Sequence, residues 1–234
     1  MSIAENVALV RERIEAAALS CGRRPEEIRL VAASKMNGAA RVREAYTAGI
    51  HCFGENRVQE YREKDAEHAY DGAEVHIIGC LQRNKAKYVA GRVELIQSVD
   101  SVELMRELQR LCEKRDAEQR VLLEVNLAGE ASKTGCPLGE LPRLLEAAAE
   151  NGRVKVCGLM GIAPISGSEA ENRTFFADMY QLFVDIRAKK YDNISMVELS
   201  MGMSGDFEAA IREGATMVRV GSSIFGARNY ENPG

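Results

Sequence analysis

Residues 196–223 read MVELSMGMSGDFEAAIREGATMVRVGSS, and this stretch carries the pattern that decides the fold. Two short apolar runs, at residues 196–200 and 217–220, flank a segment at 207–213 whose apolar residues have helical spacing. Buried parallel strands are short apolar runs, and helices connect them. The stretch therefore predicts a strand–helix–strand unit with a loop rich in glycine and serine after each strand.

The same alternation recurs along the rest of the chain. Six further apolar runs predict strands at residues 28–33, 50–53, 75–78, 95–99, 121–126 and 154–159. Helical patterns occupy residues 3–19, 39–48, 58–68, 84–89, 102–114, 138–150 and 169–189. Eight strands alternating with helices in 234 residues predict an α/β fold, a single (β/α)8 TIM-type barrel domain over residues 1–234 with an extra N-terminal helix. An open doubly wound sheet is the alternative, but no G-x-G-x-x-G follows the first strand.

Composition narrows the class of protein. The net charge of -4 and the single short basic cluster at residues 83–87 argue against a nucleic-acid partner. No apolar run approaches the roughly 20 residues that span a membrane, and residues 1–10 do not resemble a signal peptide. None of the six cysteines lies in a C-x-x-C pair or at metal-ligand spacing from a histidine. We expect a cytoplasmic protein with reduced thiols, no metal and no membrane partner.

The loops after the last two predicted strands suggest a phosphate site. Ser204 and Gly205 follow the seventh strand, and Gly221 and Ser222 follow the eighth. Glycine lets the backbone approach an anion, serine donates a hydroxyl, and the start of a helix offers free N–H groups. These residue types are also ordinary turn and capping residues. Barrels most often bind phosphate at these two strands, which favours the phosphate interpretation.

Lys35 and Arg219 add a second element to this site. Lys35 directly follows the first predicted strand, where a desolvated amine could form a Schiff base with an aldehyde. A phosphate site together with such a lysine suggests pyridoxal 5'-phosphate (PLP). Arg219 could face the ligand ring, and an arginine there would favour an unprotonated pyridine nitrogen. The alternatives are a surface lysine, a structural arginine, or a barrel that binds a phosphorylated metabolite without PLP. Lys133 is the second choice for the PLP lysine.

Eight segments resemble the pyridoxal phosphate homeostasis protein family, which is similar in fold to the N-terminal domain of alanine racemase. They are residues 31–35 (VAASK), 53–60 (FGENRVQE), 76–82 (HIIGCLQ), 98–100, 124–126, 158–160, 199–211 and 218–228. The resemblance implies that Lys35 holds PLP as a Schiff base. It also places Asn56 near the ring, Arg219 at the pyridine nitrogen, and three residues on the phosphate: Ser204, Gly221 and Ser222.

Three positions depart from the family pattern. Cys80 stands where the family usually has histidine, Met36 where it has threonine, and Ser222 where it has threonine. Ser222 keeps the hydroxyl, whereas Cys80 removes an imidazole and brings a thiol toward the aldehyde.

The resemblance implies a protein that buffers PLP, or delivers it to PLP-dependent apo-enzymes, without robust turnover. We expect a monomer or weak dimer. A PLP-dependent amino-acid racemase or lyase is the alternative. In barrel racemases of this type a second domain and a dimer partner place a tyrosine on the opposite face of the ligand. We expect this chain to lack that second domain.

Overall fold

The computed structural model describes residues 1–129, 134–150, 152–164 and 167–226. Its strands, in chain order, are β1 Arg29–Ala33, β2 Cys52–Glu55, β3 Glu74–Ile77, β4 Leu95–Val99, β5 Gln119–Asn126, β6 Cys136–Pro137, β7 Val154–Met160, β8 Ile194–Met203 and β9 Met217–Val220. Its α-helices are α1 Ile3–Ser20, α2 Ala39–Thr47, α3 Val58–Ala66, α4 Val102–Arg115, α5 Leu141–Ala149, α6 Glu169–Lys189, α7 Phe207–Arg212 and α8 Ser222–Phe225. Short 3-10 helices cover Pro25–Glu27 and Arg83–Tyr88.

Eight of these strands close into a barrel. They lie in the order β4-β3-β2-β1-β9-β8-β7-β5, and β5 also pairs with β4, so the sheet has no open edge. Every pairing is parallel. The two-residue strand β6 pairs only with the end of β5, outside the ring. The predicted (β/α)8 barrel with an extra N-terminal helix is confirmed, and the open-sheet alternative is wrong.

The barrel has an inner core and an outer core. The inner core is a small group of side chains from the strands, with Val31, Leu95, Leu122 and Met217 among its members. The larger core lies between the strands and the surrounding helices. Because the strands are all parallel, their C-terminal ends meet at one face of the barrel, where the connecting loops can assemble a site.

Helix α1 supports the two helices that follow the predicted phosphate loops. It begins with a capping box in which Ser2 and Glu5 bond reciprocally. The Arg13 guanidinium makes two hydrogen bonds of 2.9 Å to the Glu208 carboxylate on α7. The Asn6 side-chain amide donates to the Ile224 carbonyl on α8 at 2.9 Å. The extra helix is thereby bonded to the two short helices that follow these loops.

Several predicted bounds differ from the structure: β2 lies at Cys52–Glu55 and not at 50–53, and α5 begins at Leu141 and not at 138. Two further differences have a clear physical cause. The segment at 84–89 is not an α-helix but the 3-10 helix Arg83–Tyr88, which has only Ala86 buried. Without a repeating apolar stripe, no packing favours regular α-helical turns there. Strand β8 extends to Met203, beyond its predicted end at Ser200. Gly202 allows this, because it has a φ of 89° and a Cβ there would lie 2.9 Å from the Phe207 Cα.

No helix in the described ranges combines the length and the apolar character needed to cross a membrane.

Candidate functional site

A cavity of about 200 Å³ opens at the C-terminal ends of β1, β8 and β9. It brings together six of the seven site residues predicted from the sequence: Lys35, Ser204, Gly205, Arg219, Gly221 and Ser222. The other lining residues are Ala33, Asn37, Met203, Phe225 and Gly226. Three distant parts of the chain therefore contribute an amine, a guanidinium and two hydroxyls to one space.

The backbone on both sides of Lys35 is held in place. The Ser34 N–H continues the sheet by donating to the Gly54 carbonyl at 3.0 Å. The Ser34 carbonyl accepts from the Lys64 ammonium at 2.8 Å. On the other side, the Met36 N–H donates to the Glu60 carboxylate at 2.7 Å, with Met36 at a φ of 61°. The half-buried Lys35 therefore extends from a fixed point beside the cavity.

A buried polar cluster lies directly behind this segment. One carboxylate oxygen of Glu55, Oε1, accepts from the Ser34 hydroxyl at 2.5 Å, the Lys64 ammonium at 2.6 Å and the Tyr70 hydroxyl at 2.7 Å. Glu55 is fully buried and Lys64 is 6% exposed. Burial, together with the nearby Glu55 charge, raises the pKa of Tyr70 and keeps its hydroxyl protonated. The cluster ties β1, β2 and α3 together beneath Lys35.

Ser204 links the two predicted phosphate loops. Its hydroxyl oxygen accepts from the Gly221 N–H at 3.0 Å and from the Ser223 N–H at 3.5 Å. That leaves the hydroxyl proton of Ser204 available to an anion in the cavity. Helices α7 and α8 have only six and four residues. The predicted dipole contribution is therefore small, which leaves the loop hydroxyls as the main groups that could donate to an anion.

Arg219 is 4% exposed and lies at the base of the cavity. Burial lowers the pKa of its guanidinium to about 10, so it stays charged at neutral pH. Nη1 donates to the Ser200 hydroxyl at 2.6 Å and Nη2 to the Gly161 carbonyl at 2.9 Å. Within the described residues no carboxylate forms an ion pair with it; Glu124 and Asp206 act on the guanidinium only through space and raise its pKa against the effect of burial.

Asn56, the seventh predicted residue, lies elsewhere. It lines a neighbouring cavity of about 340 Å³ together with Arg57, Cys80, Gln82 and Lys85. Its side-chain oxygen is buried and has no hydrogen-bond partner among the described residues. Cys80 is in this second cavity as well, so its thiol does not line the Lys35 cavity as the sequence suggested. Burial raises the pKa of Cys80, which keeps the thiol protonated.

All six cysteines are unpaired with one another in the structure. At the N-terminal end of the barrel, however, the fold brings Cys52, Glu74 and His76 together, with potential ligand atoms within 4.8 Å of one another. Sequence spacing could not show this group because Cys52 lies on a different strand from the other two. Burial raises the pKa of Cys52 and lowers that of His76, so both are neutral.

The family model described as the alanine racemase N-terminal domain matches residues 2–229. The pyridoxal phosphate homeostasis protein of Pseudomonas aeruginosa is 43% identical over 235 residues, covering 99% of this chain and 98% of the relative. The protein of the same name from Escherichia coli K12 is 42% identical over 234 residues, 97% of each chain. This chain belongs to the pyridoxal phosphate homeostasis protein family. The predicted resemblance is confirmed.

Solved structures extend the family relationship. PipY of Synechococcus elongatus PCC7942, solved with PLP bound, superposes with a TM-score of 0.85 at 35% identity and covers 96% of this chain and 100% of PipY. Alanine racemase of Corynebacterium glutamicum shares the fold with a TM-score of 0.66 at 17% identity. That match covers 94% of this chain and 61% of the racemase.

Proposed function

We propose that this protein binds PLP, holds it as a Schiff base on Lys35, and serves intracellular PLP homeostasis by buffering or delivering the cofactor. The observation that carries the proposal is the single cavity that gathers Lys35, Arg219 and the two serine–glycine loops. Relatives named for PLP homeostasis and the PLP-bound PipY structure support it.

The residues present fit each chemical group of PLP. When bound, PLP supplies an aldehyde that condenses with an amine, a phosphate dianion and a pyridine nitrogen. Lys35 provides the amine. The hydroxyls of Ser204 and Ser222, with the loop at Gly205 and Gly221, provide donors for the dianion. The Arg219 guanidinium provides an N–H donor for the ring nitrogen.

The same residues favour storage over turnover. A charged guanidinium has only N–H donors, so it cannot accept a hydrogen bond from a protonated pyridine nitrogen. It therefore favours the unprotonated nitrogen, and the unprotonated ring withdraws electrons less strongly. Racemisation also needs an acid/base group on each face of the substrate carbon. Of the described residues lining the cavity, only Lys35 and Arg219 carry ionisable side chains. One missing general acid or base typically costs about 10²–10⁴-fold in rate.

If the protein delivers PLP, its protein partners are the enzymes that receive it. PLP-dependent apo-enzymes would receive the cofactor, and the protein would act in the cytoplasm as a monomer or weak dimer, without nucleic acid or a membrane. Release would return Lys35 as a free amine, with water or an amine of the acceptor enzyme taking its place on the cofactor.

The test is reconstitution of the purified protein with PLP. We expect a visible absorption band that borohydride bleaches, present in the wild type and in Lys87→Ala, and missing in Lys35→Ala. Lys87 is a suitable control because it lies in an exposed 3-10 helix away from the cavity. A full-occupancy reducible adduct in Lys35→Ala would place PLP on another lysine. Lys133, the second choice from the sequence, lies outside the described residues.

A further inference from the structure

A chain of buried polar side chains crosses the barrel interior from the Lys35 cavity to the opposite end. Arg219 donates to the Ser200 hydroxyl at 2.6 Å, and this hydroxyl lies 2.7 Å from Gln97 Oε1. Gln97 Nε2 lies 2.9 Å from His76 Nδ1. Ser200, Gln97 and His76 are all fully buried. The four residues lie on β9, β8, β4 and β3, so each strand contributes one member.

The direction of every hydrogen bond in this chain is fixed by chemistry. A guanidinium has only donors, so the Ser200 oxygen accepts from Arg219 and its own proton goes to Gln97 Oε1. Gln97 Nε2 then faces two acceptors, His76 Nδ1 at 2.9 Å and the Met217 sulfur at 3.0 Å. The opposite amide orientation would set a carbonyl oxygen against that sulfur. All bonds therefore point away from Arg219.

The far end of the chain is a histidine in a defined tautomer. Because His76 Nδ1 accepts, the proton of the neutral ring is on Nε2, which lies 3.5 Å from the Cys52 sulfur and 3.8 Å from a Glu74 oxygen. Zinc on this group would need the lone pair of Nε2 and an acceptor for an Nδ1 proton. The Gln97 amide offers a donor instead. The group therefore ends the hydrogen-bond chain and is not arranged as a metal site.

We propose that Ser200, Gln97 and His76 are positioning residues that hold the Arg219 guanidinium as a charged donor toward the pyridine nitrogen of PLP. The inference rests on the proposed function and deepens it. The hydrogen-bond partners of Arg219 are neutral, and Glu124 and Asp206 act on its guanidinium only through space, so no bonded carboxylate neutralises the charge that faces the ligand. Hydrogen bonds that all run in one direction also polarise one another and lock the geometry.

The test compares two buried glutamines. Gln97→Leu removes the middle of the chain. Gln119→Leu is the matched control, because Gln119 is 1% exposed and, among the described residues, bonds to the backbone groups of Gly91, Val93 and Arg120. The probe is pyridoxine 5'-phosphate, which has the ring and phosphate but no aldehyde. Gln97→Leu should weaken its binding about 10-fold, the net worth of about one hydrogen bond. Gln119→Leu should leave its binding unchanged.

A second pair of variants covers the case in which Gln97→Leu does not fold. Ser200→Ala removes the first partner of Arg219 and should also weaken the probe. Ser98→Ala is its control: Ser98 is 1% exposed and its hydroxyl donates to the Gly79 carbonyl at 2.7 Å, away from Arg219. The inference would be overturned if Ser200→Ala and Ser98→Ala both bound the probe as tightly as the wild type. It would also be overturned if both variants lost the same affinity.

A measurement on the protein without PLP tests the hydrogen-bond chain directly. The protein has three histidines, and ¹⁵N spectra of a histidine-labelled sample distinguish the protonated from the unprotonated ring nitrogen. We expect His76 with its proton on Nε2, and the opposite tautomer or stoichiometric bound zinc would contradict the inference. If the wild type does not bind the probe or PLP, the proposed function fails. If it binds and Gln97→Leu binds equally well, only the positioning role fails.

Discussion

The loss of PLP affinity on removing the hydroxyls of the two phosphate loops is the effect whose magnitude follows most directly from the structure. Replacing Ser204 and Ser222 together by alanine removes two hydroxyls from the cavity. A hydrogen bond to a charged group contributes about 1.5–3 kcal/mol, so the double variant should lose about 3–6 kcal/mol, roughly 10²–10⁴-fold in affinity. Ser204→Ala alone should cost more than Ser222→Ala. The reason is that Ser204 also accepts the Gly221 N–H that joins the two loops.

The assay is equilibrium binding of PLP compared with pyridoxal, which lacks the phosphate. The double variant should lose affinity for PLP and keep its affinity for pyridoxal. PLP should also protect it less against heat, because a ligand at 100 times its Kd adds about 2.7 kcal/mol to the free energy of unfolding. Ser101→Ala, which removes the cap of α4, controls for a general loss of stability. An unchanged PLP affinity and thermal shift in the double variant would refute the phosphate assignment.

Three further predictions concern stability and turnover. Glu55→Gln should destabilise the fold by about 3–5 kcal/mol in urea unfolding, because the buried Lys64 ammonium then keeps only the Glu60 carboxylate at 3.8 Å. A loss as small as that of Glu107→Gln, which removes the charge of a helix-surface pair with Arg110, would contradict this. The Arg13 partner lowers the pKa of Glu208, so the wild type should be more stable than Glu208→Gln at pH 7, with the difference lost as pH falls through the pKa of the folded state. A difference that persists at pH 2 would count against it. The PLP-loaded protein should exchange the Cα proton of alanine or serine with solvent deuterium far below the typical ~10 s⁻¹ of enzymes, and turnover near that value would favour the racemase or lyase alternative.

The sequence predicted the barrel well because the strands are continuous apolar runs. The predicted bounds of β4 and β9 match the structure. Errors occurred where tertiary contacts override the local pattern. The segment Arg83–Tyr88 has too few buried residues to favour a regular helix. The end of β8 is extended by Gly202, whose backbone passes close to α7.

The predicted residues of the cavity lie in the last residues of strands or just beyond them, where a barrel places its site. The supporting residues were not predicted. Glu55, Gln97 and His76 make contacts across neighbouring strands, which depend on the register of the barrel. Their one signal in the sequence is a polar residue inside an apolar run, as at Gln97 within Leu95–Val99. Asn56 lines the adjacent cavity, and its place near the ring stays a prediction.

The central claim is that Lys35 carries PLP, and peptide mapping by mass spectrometry of borohydride-reduced protein tests it most directly. The protein should be purified with its PLP, reduced, digested and searched for a pyridoxyl group on every lysine. We expect one modified lysine per chain, in the peptide that contains Lys35. An unmodified Lys35 peptide together with a stoichiometric pyridoxyl group on another lysine would contradict the claim.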